Sequence, residues 1–273
     1  MDLFSFHGLA LDTLGMLFGV GLLAGFVDAI AGGGGLLTLP ALLWAGLSPA
    51  ESLATNKVQS SFGSFSAALK FTRGGEVKPR EMASMIACTF AGSALGAIIV
   101  QMLDPGFLRN VIPVLLIGIA VWLMVTPKAG EIDAHQRIGE RAFALLAGTG
   151  IGFYDGFFGP GTGTFFAIAF VSLLGFNLRK ATAHTKVLNF TSNIAALLFF
   201  LMGGHIVWVA GLLMGVGQSL GAQLGAQMVI RNGAAIVRPM LVVASLAITA
   251  KLVWTDEQGY IRAAIGALAA WFA

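Results

Sequence analysis

Charge is what this sequence has least of. Of its 273 residues only 11% are Asp, Glu, Lys or Arg, whereas 57% are apolar and the mean hydropathy is +0.85. A soluble domain carries about 25% charged residues. The shortfall excludes a water-soluble globular protein, which would lack the charges to cover its surface. It also excludes a disordered chain, which needs low hydrophobicity and high net charge. Cysteine is nearly absent: Cys88 stands alone, so no disulfide forms within the chain and cysteine usage says nothing about redox compartment. The first 13 residues contain Asp2 and Asp12 but no Lys or Arg, so they lack the basic start of a secretory signal.

Catalytic signatures are missing too. No Gly-Lys-Ser/Thr follows a glycine-rich stretch, and no dinucleotide fingerprint occurs. There is no Gly-x-Ser-x-Gly nucleophile motif and no cluster with metal-ligand spacing. The expectation is a protein that is not an enzyme and has no cofactor, no metal and no ATPase function of its own. The excess of 16 basic over 13 acidic residues, net +3, falls in short loops between apolar runs. That distribution orients a membrane protein and does not point to nucleic acid.

What the chain has is apolar runs. They cover residues 14–31, 36–47, 49–71, 82–103, 107–125, 141–158, 164–176, 178–202, 206–230, 237–252 and 260–272. A crossing helix needs about 20 apolar residues. Runs 36–47 and 164–176 fall short, because about 12 helical residues rise only ~18 Å. The stretch 128–140 is the one markedly polar segment. The expected organisation is an external N-terminal segment (1–13), a transmembrane repeat (14–125), a cytoplasmic linker (126–140), a second repeat (141–252) and a C-terminal helix (253–273).

The two halves match each other in register. At an offset of 127, Gly25, Phe26, Asp28, Gly32 and Gly34 meet Gly152, Phe153, Asp155, Gly159 and Gly161. Past the short run the offset becomes 129, and Ala54, Lys57, Val58, Ala67 and Phe71 meet Ala183, Lys186, Val187, Ala196 and Phe200. Gly92 and Gly96 then meet Gly221 and Gly225, and Arg109 meets Arg238. Chance pairs Ala with Ala in an apolar alphabet, but it does not pair Asp, Lys and Arg each with its own kind in one register.

Basic residues orient these repeats oppositely. Arg73, Lys78, Arg80, Lys128, Arg137, Arg141, Arg179, Lys180 and Arg231 mark cytoplasmic loops, and the loops after Leu103, Met202 and Leu252 are poor in Lys and Arg. Run 49–71 then points inward and its counterpart 178–202 outward. The expected fold is an all-α polytopic membrane protein with an inverted-topology repeat. Each half holds three full crossings and a glycine-broken pair, either a re-entrant hairpin or two tight crossings. The N-terminus falls outside and the C-terminus in the cytoplasm.

Candidate binding residues cluster at two places in each half. Gly32-Gly33-Gly34-Gly35 and Gly159-Pro160-Gly161-Thr162-Gly163 interrupt the short pairs. Non-helical backbone at membrane depth survives only where protein or a watery cavity satisfies it, and the helix that follows offers unpaired N–H groups to an anion. Lys57, Ser60 and Ser64 share one helix face, and Lys186, Asn189 and Asn193 repeat that spacing. With helix starts at the caps Ser48 and Asn177, both lysines lie roughly 13 Å in, where an ammonium needs solvation or a partner. Asn56, Gln59, His184 and Thr185 flank the stripes, whereas Lys70 and Lys251, near helix ends, read as snorkelling. Asp28 and Asp155 precede the tips. Two readings compete for them: caps on tip N–H groups, or proton carriers. His184 is a third proton-carrier candidate, without a counterpart, and Tyr154 also lies nearby.

The segments Gly-Phe-Val-Asp-Ala-Ile-Ala-Gly-Gly-Gly-Gly (25–35), Ala-Thr-Asn-Lys (54–57), Gly-Phe-Tyr-Asp-Gly-Phe-Phe-Gly-Pro-Gly (152–161) and Ala-Thr-Ala-His-Thr-Lys (181–186) resemble the TauE/SafE, or sulfite exporter, family of membrane transporters, over roughly residues 14–252. The resemblance implies a bacterial inner-membrane carrier with two repeated halves. It also implies a small anionic substrate: sulfite, an organosulfonate or another small organic anion. The family motifs carry onto Gly32–Gly35, Asn56, Lys57, Gly159–Gly161 and Lys186. The expected substrate-binding set is Gly33, Gly34, Asn56, Lys57, Ser60, Ser64, Gly161, Thr162, Thr185, Lys186, Asn189 and Asn193, with Asp28, Asp155 and His184 as proton-coupling candidates. The expected activity is secondary transport by alternating access in the direction of export; the alternative is a passive anion channel. The partners are the anion and the lipid bilayer, with a homodimer left open and no nucleic acid. The orientation has a direct test. Alkaline phosphatase, active only outside the cytoplasm, should be active when fused after Gly204 and silent when fused after Gly75, and the opposite pattern refutes the assignment.

Overall fold

The computed structural model describes residues 9–104, 106–108, 111–112, 114–116, 118 and 135–232. Every regular element among them is helical. In chain order they are α1 (Leu11–Ala31), α2 (Gly35–Trp44), α3 (Pro49–Arg73), a 3₁₀ turn (Pro79–Met82), α4 (Ala83–Gln101), α5 (Glu140–Phe143), a π-helical turn (Ala144–Gly148), α6 (Thr149–Phe157), α7 (Thr162–Leu174), α8 (Leu178–Gly203) and α9 (Trp208–Asn232). The described residues of 106–118 are also helical, with Leu108, Ile112 and Leu116 buried along one face. Runs 237–252 and 260–272, most of the linker and the C-terminal end of run 107–125 lie outside the described residues, as do Arg109, Arg238 and Lys251.

The runs end close to where their chemistry stops them. Ser48 and Glu51 form a reciprocal capping box at α3, with Pro49 at the first helical position. Asn177 Oδ1 accepts from the Lys180 N–H at the start of α8. α1 ends on Gly32, whose φ of +80° suits glycine and whose N–H bonds the Asp28 carbonyl. Three described helical segments are long and apolar enough to cross a membrane: Leu11–Ala31, Pro79–Gln101 and Leu178–Gly203. α3 and α9 have 25 residues each, about 37 Å, but they carry many polar residues. On α3 most of these are buried, among them Asn56, Lys57, Gln59, Ser61, Ser64 and Ser66. The polar face is therefore turned into the protein.

The packing crosses between the two halves of the chain. α1 lies along α9, α4 along α6, and α3 along both α8 and α9. Small residues set the spacing. A Cβ on Gly221 would come within 1.9 Å of the Leu22 carbonyl oxygen, and one on Gly156 within 1.9 Å of the Ser93 carbonyl oxygen. Backbones this close are how helices associate where lipid removes the hydrophobic drive between them. Phe71 and Phe200, register mates in the two halves, are both fully buried in one core with Phe158, Phe166 and Phe170.

Gly156→Ala should therefore force α4 and α6 apart and cost at least about 1–3 kcal/mol. Gly150→Ala meets nothing within 4 Å and should hold or raise stability, by up to ~1 kcal/mol. Thermal unfolding in detergent compares them, and equal effects would refute the close-contact account.

Candidate functional site

The two glycine breaks meet in the middle of the protein. A Cβ on Gly32 would lie 2.3 Å from the Gly163 carbonyl carbon, and one on Gly163 would lie 2.4 Å from the Gly32 Cα. Thr164 Oγ1 donates to the Ala31 carbonyl oxygen at 2.6 Å, tying one tip to the other. Only glycine allows this contact, and at Gly32, Gly159 and Gly161 the positive φ (+80°, +106°, +85°) requires it as well.

Each lysine reaches the aspartate of the opposite half. Lys57 Nζ on α3 donates to Asp155 Oδ1 at 2.8 Å and also to the Asp155 backbone oxygen. Lys186 Nζ on α8 donates to Asp28 Oδ2 at 3.0 Å and also to the Asp28 backbone oxygen. Lys57 is 1% exposed, Lys186 0%, Asp28 7% and Asp155 2%. Burial of four charges is costly unless they are paired and hydrogen-bonded. Here both conditions hold, and the two positive and two negative charges cancel. The lysine carbon chains run inside the protein, so neither ammonium snorkels.

The carboxylates also secure the breaks. Asp28 Oδ1 accepts from the Gly34 N–H at 3.2 Å. Asp155 Oδ1 accepts from Thr162 Oγ1 at 3.1 Å, and its Oδ2 accepts from Ser192 Oγ. Of these bonds only the one at Asp28 meets a tip N–H group. The halves differ in detail: Asp155 has two hydroxyl donors, whereas Asp28 has a backbone N–H. Ser192 stands in register with Gly63, which has no side chain, so the repeat could not flag it.

A small cavity lies at this centre, lined by Asp28, Asp155, Asn56, Ser60, Asn189 and Asn193 and by tip glycines that include Gly161. Its volume is about 10 Å³, close to what one water molecule needs. Asn56 Oδ1 accepts from both Thr38 Oγ1 and Gln59 Nε2 at 2.6 Å. Asn193 Nδ2 donates to the Asn189 side-chain oxygen at 3.0 Å.

Other expected residues sit beside the cavity or away from it. Gly33 and Gly34 form the first tip, and Thr162 opens α7 behind the second. Ser64 turns back to bond the Ser60 carbonyl at 2.6 Å. Thr185, in register with Asn56, is buried, and its Oγ1 has no hydrogen-bond partner among the described residues. His184 is set apart: its ring packs against Phe170 and Phe176, and its Nδ1 contacts the Lys180 carbonyl at 2.8 Å. Tyr154 donates to the Pro160 carbonyl at the second tip. The sequence reading missed Ser192 and Thr38, short hydroxyls off the lysine stripes. No group of three His, Cys, Asp or Glu able to hold a metal occurs among the described residues.

Breaking one pair should be worse than deleting it. Asp155→Asn leaves the Lys57 ammonium buried without a counter-charge, at a cost on the order of 3–5 kcal/mol. The double variant Lys57→Met, Asp155→Leu should recover most of that loss in thermal unfolding. A double variant no more stable than the single one would show that the pair is not the controlling contact.

The profile of the "Sulfite exporter TauE/SafE" family matches residues 17–252. The chain is 52% identical over 246 residues to "Probable membrane transporter protein YfcA" of Escherichia coli (strain K12), covering 90% of this chain and 91% of that protein. It is 48% identical over 254 residues to a "Probable membrane transporter protein" of Haemophilus influenzae, covering 93% and 99%. It is 47% identical over 244 residues to "Probable membrane transporter protein ORF9" of Sinorhizobium sp., covering 89% and 94%. No solved structure matches. With a profile match across most of its length and relatives near half identity, the chain belongs to the TauE/SafE family and is a probable membrane transporter.

Proposed function

We propose that the protein is a secondary transporter of a small oxyanion, sulfite, an organosulfonate or a related organic anion, working by alternating access in the bacterial inner membrane. The observation that carries the reading is the crossed pair of buried lysine–aspartate contacts at two abutting glycine breaks. An ammonium held by a carboxylate is already in the geometry that an oxyanion needs. Asp28 and Asp155 thus stand where the transported anion binds, and the anion takes the place of one carboxylate when the tips part. Asn56, Ser60, Asn189 and Asn193 supply the remaining hydrogen bonds.

The charge balance bears on coupling. Two lysines and two aspartates sum to zero, so one added monoanion, such as bisulfite or a monosulfonate, leaves the closed centre at −1. A proton taken by the displaced carboxylate restores neutrality, which favours proton-coupled movement. The register between the halves, the cross-half packing and the opposed basic loops support an inverted repeat, with the N-terminus outside and the C-terminus in the cytoplasm. The direction proposed is export, as the name of the matching family suggests. A cavity of one-water size argues against a standing open pore.

Sulfite and sulfonate flux into proteoliposomes should fall to background in Lys57→Ala and in Lys186→Ala, measured on variants that still fold. Wild-type flux in both would sink the site. Counterflow should show trans-stimulation, which a passive channel lacks.

A further inference from the structure

A second cationic feature lies away from the crossed pairs, at the C-terminal ends of α3 and α9. Ser66, Leu69, Lys70, Arg73, Gln223, Gln227 and Ile230 line a pocket of about 380 Å³ there, within the size range of small-molecule sites. Lys70 and Arg73 are one helical turn apart, as are Gln223 and Gln227 on the facing helix, so four donor-bearing side chains converge.

The two acids that follow α3 in the chain are already engaged. Glu76 holds Arg179 through both its oxygens, and Glu81 holds Lys78 at 3.1 Å. No carboxylate lines the pocket among the described residues. Neither Lys70 nor Arg73 has an ion pair among the described residues. The plain account of two cations in a last helical turn is that they satisfy the end of the helix. Backbone groups already do part of that work: Gly74 N–H bonds the Lys70 carbonyl, Gly75 N–H that of Thr72 and Glu76 N–H that of Phe71. Helix capping also gives no reason for two glutamines on the opposite wall.

We propose that this pocket is a second oxyanion site, binding a phosphate-type group with Lys70, Arg73, Gln223 and Gln227, and that its source is the headgroup of an anionic phospholipid. Two features favour a lipid over a soluble ion. Leu69 and Ile230 form an apolar wall in the pocket itself. Phe62 and Phe65 on α3 and Leu220 and Leu224 on α9 are exposed further along the same helices, toward their middles, where acyl chains lie when the headgroup is at the helix ends. The location rests on reading α3 and α9 as membrane-crossing helices; it does not depend on transport. Basic pockets between helices at a cytoplasmic face are suited to such headgroups.

The test uses the full-length protein in nanodiscs and native mass spectrometry. Wild type should retain phosphatidylglycerol in preference to phosphatidylcholine. Lys70→Gln with Arg73→Gln should weaken that preference by about thirtyfold, from the attraction contributed by two basic residues. Arg80→Gln, at the same end but outside the pocket, should keep it, and so should the charge-balanced double variant Lys57→Met, Asp155→Leu, which separates this site from the central one. Inorganic phosphate that stabilises wild type but not the double variant, with no lipid preference, supports the oxyanion site and overturns its lipid source. A double variant that retains phosphatidylglycerol like wild type, or an Arg80→Gln loss of equal size, overturns the proposal.

Discussion

The structure depends on keeping four charges buried together. Lys57 with Asp155, and Lys186 with Asp28, join residues 98 and 158 positions apart, and in each case the partner comes from the other half of the chain. Either half alone would leave an ammonium and a carboxylate unpaired at depth. Their desolvation is offset only when the halves interlock, so the pairs demand association as well as stabilising it. The glycine breaks make this geometry reachable. They bring the aspartate backbone oxygens into reach of the ammonium groups, and they let the tips touch with no side chain between them.

The same arrangement is suited to movement. A buried ion pair is costly to separate unless another group replaces the lost partner. The two pairs have unequal secondary partners. Asp155 is held by Ser192 and Thr162, Asp28 by a single backbone N–H. Among the described residues the Asp155 carboxylate therefore has the larger set of hydrogen-bond donors.

Much of the helical frame was legible in the amino-acid order. The caps at Ser48 and Asn177 are local chemistry, and α3 and α8 begin where those caps place them. The glycine tips, the register between the halves and the burial of Lys57 and Lys186 follow from patterns spaced along one strand of text. Asn56, Ser60, Asn189 and Asn193 line the cavity; within each half the two residues are four apart, on one helix face. Ser64 shares that face by spacing, yet its hydroxyl is spent on its own helix, a choice that depends on what packs beside it. His184 was flagged for its chemistry, and its neighbours Phe170 and Phe176 place it elsewhere.

The sequence by itself determined the membrane class, the caps that start α3 and α8, the two breaks and the family, because composition, capping and repeat register are properties of neighbouring residues. Only the tertiary structure decided which aspartate each lysine meets, that the tips press against one another, and that Ser192 and Thr38 join the centre. Those contacts close over long stretches of chain, and no local pattern encodes a distance between helices.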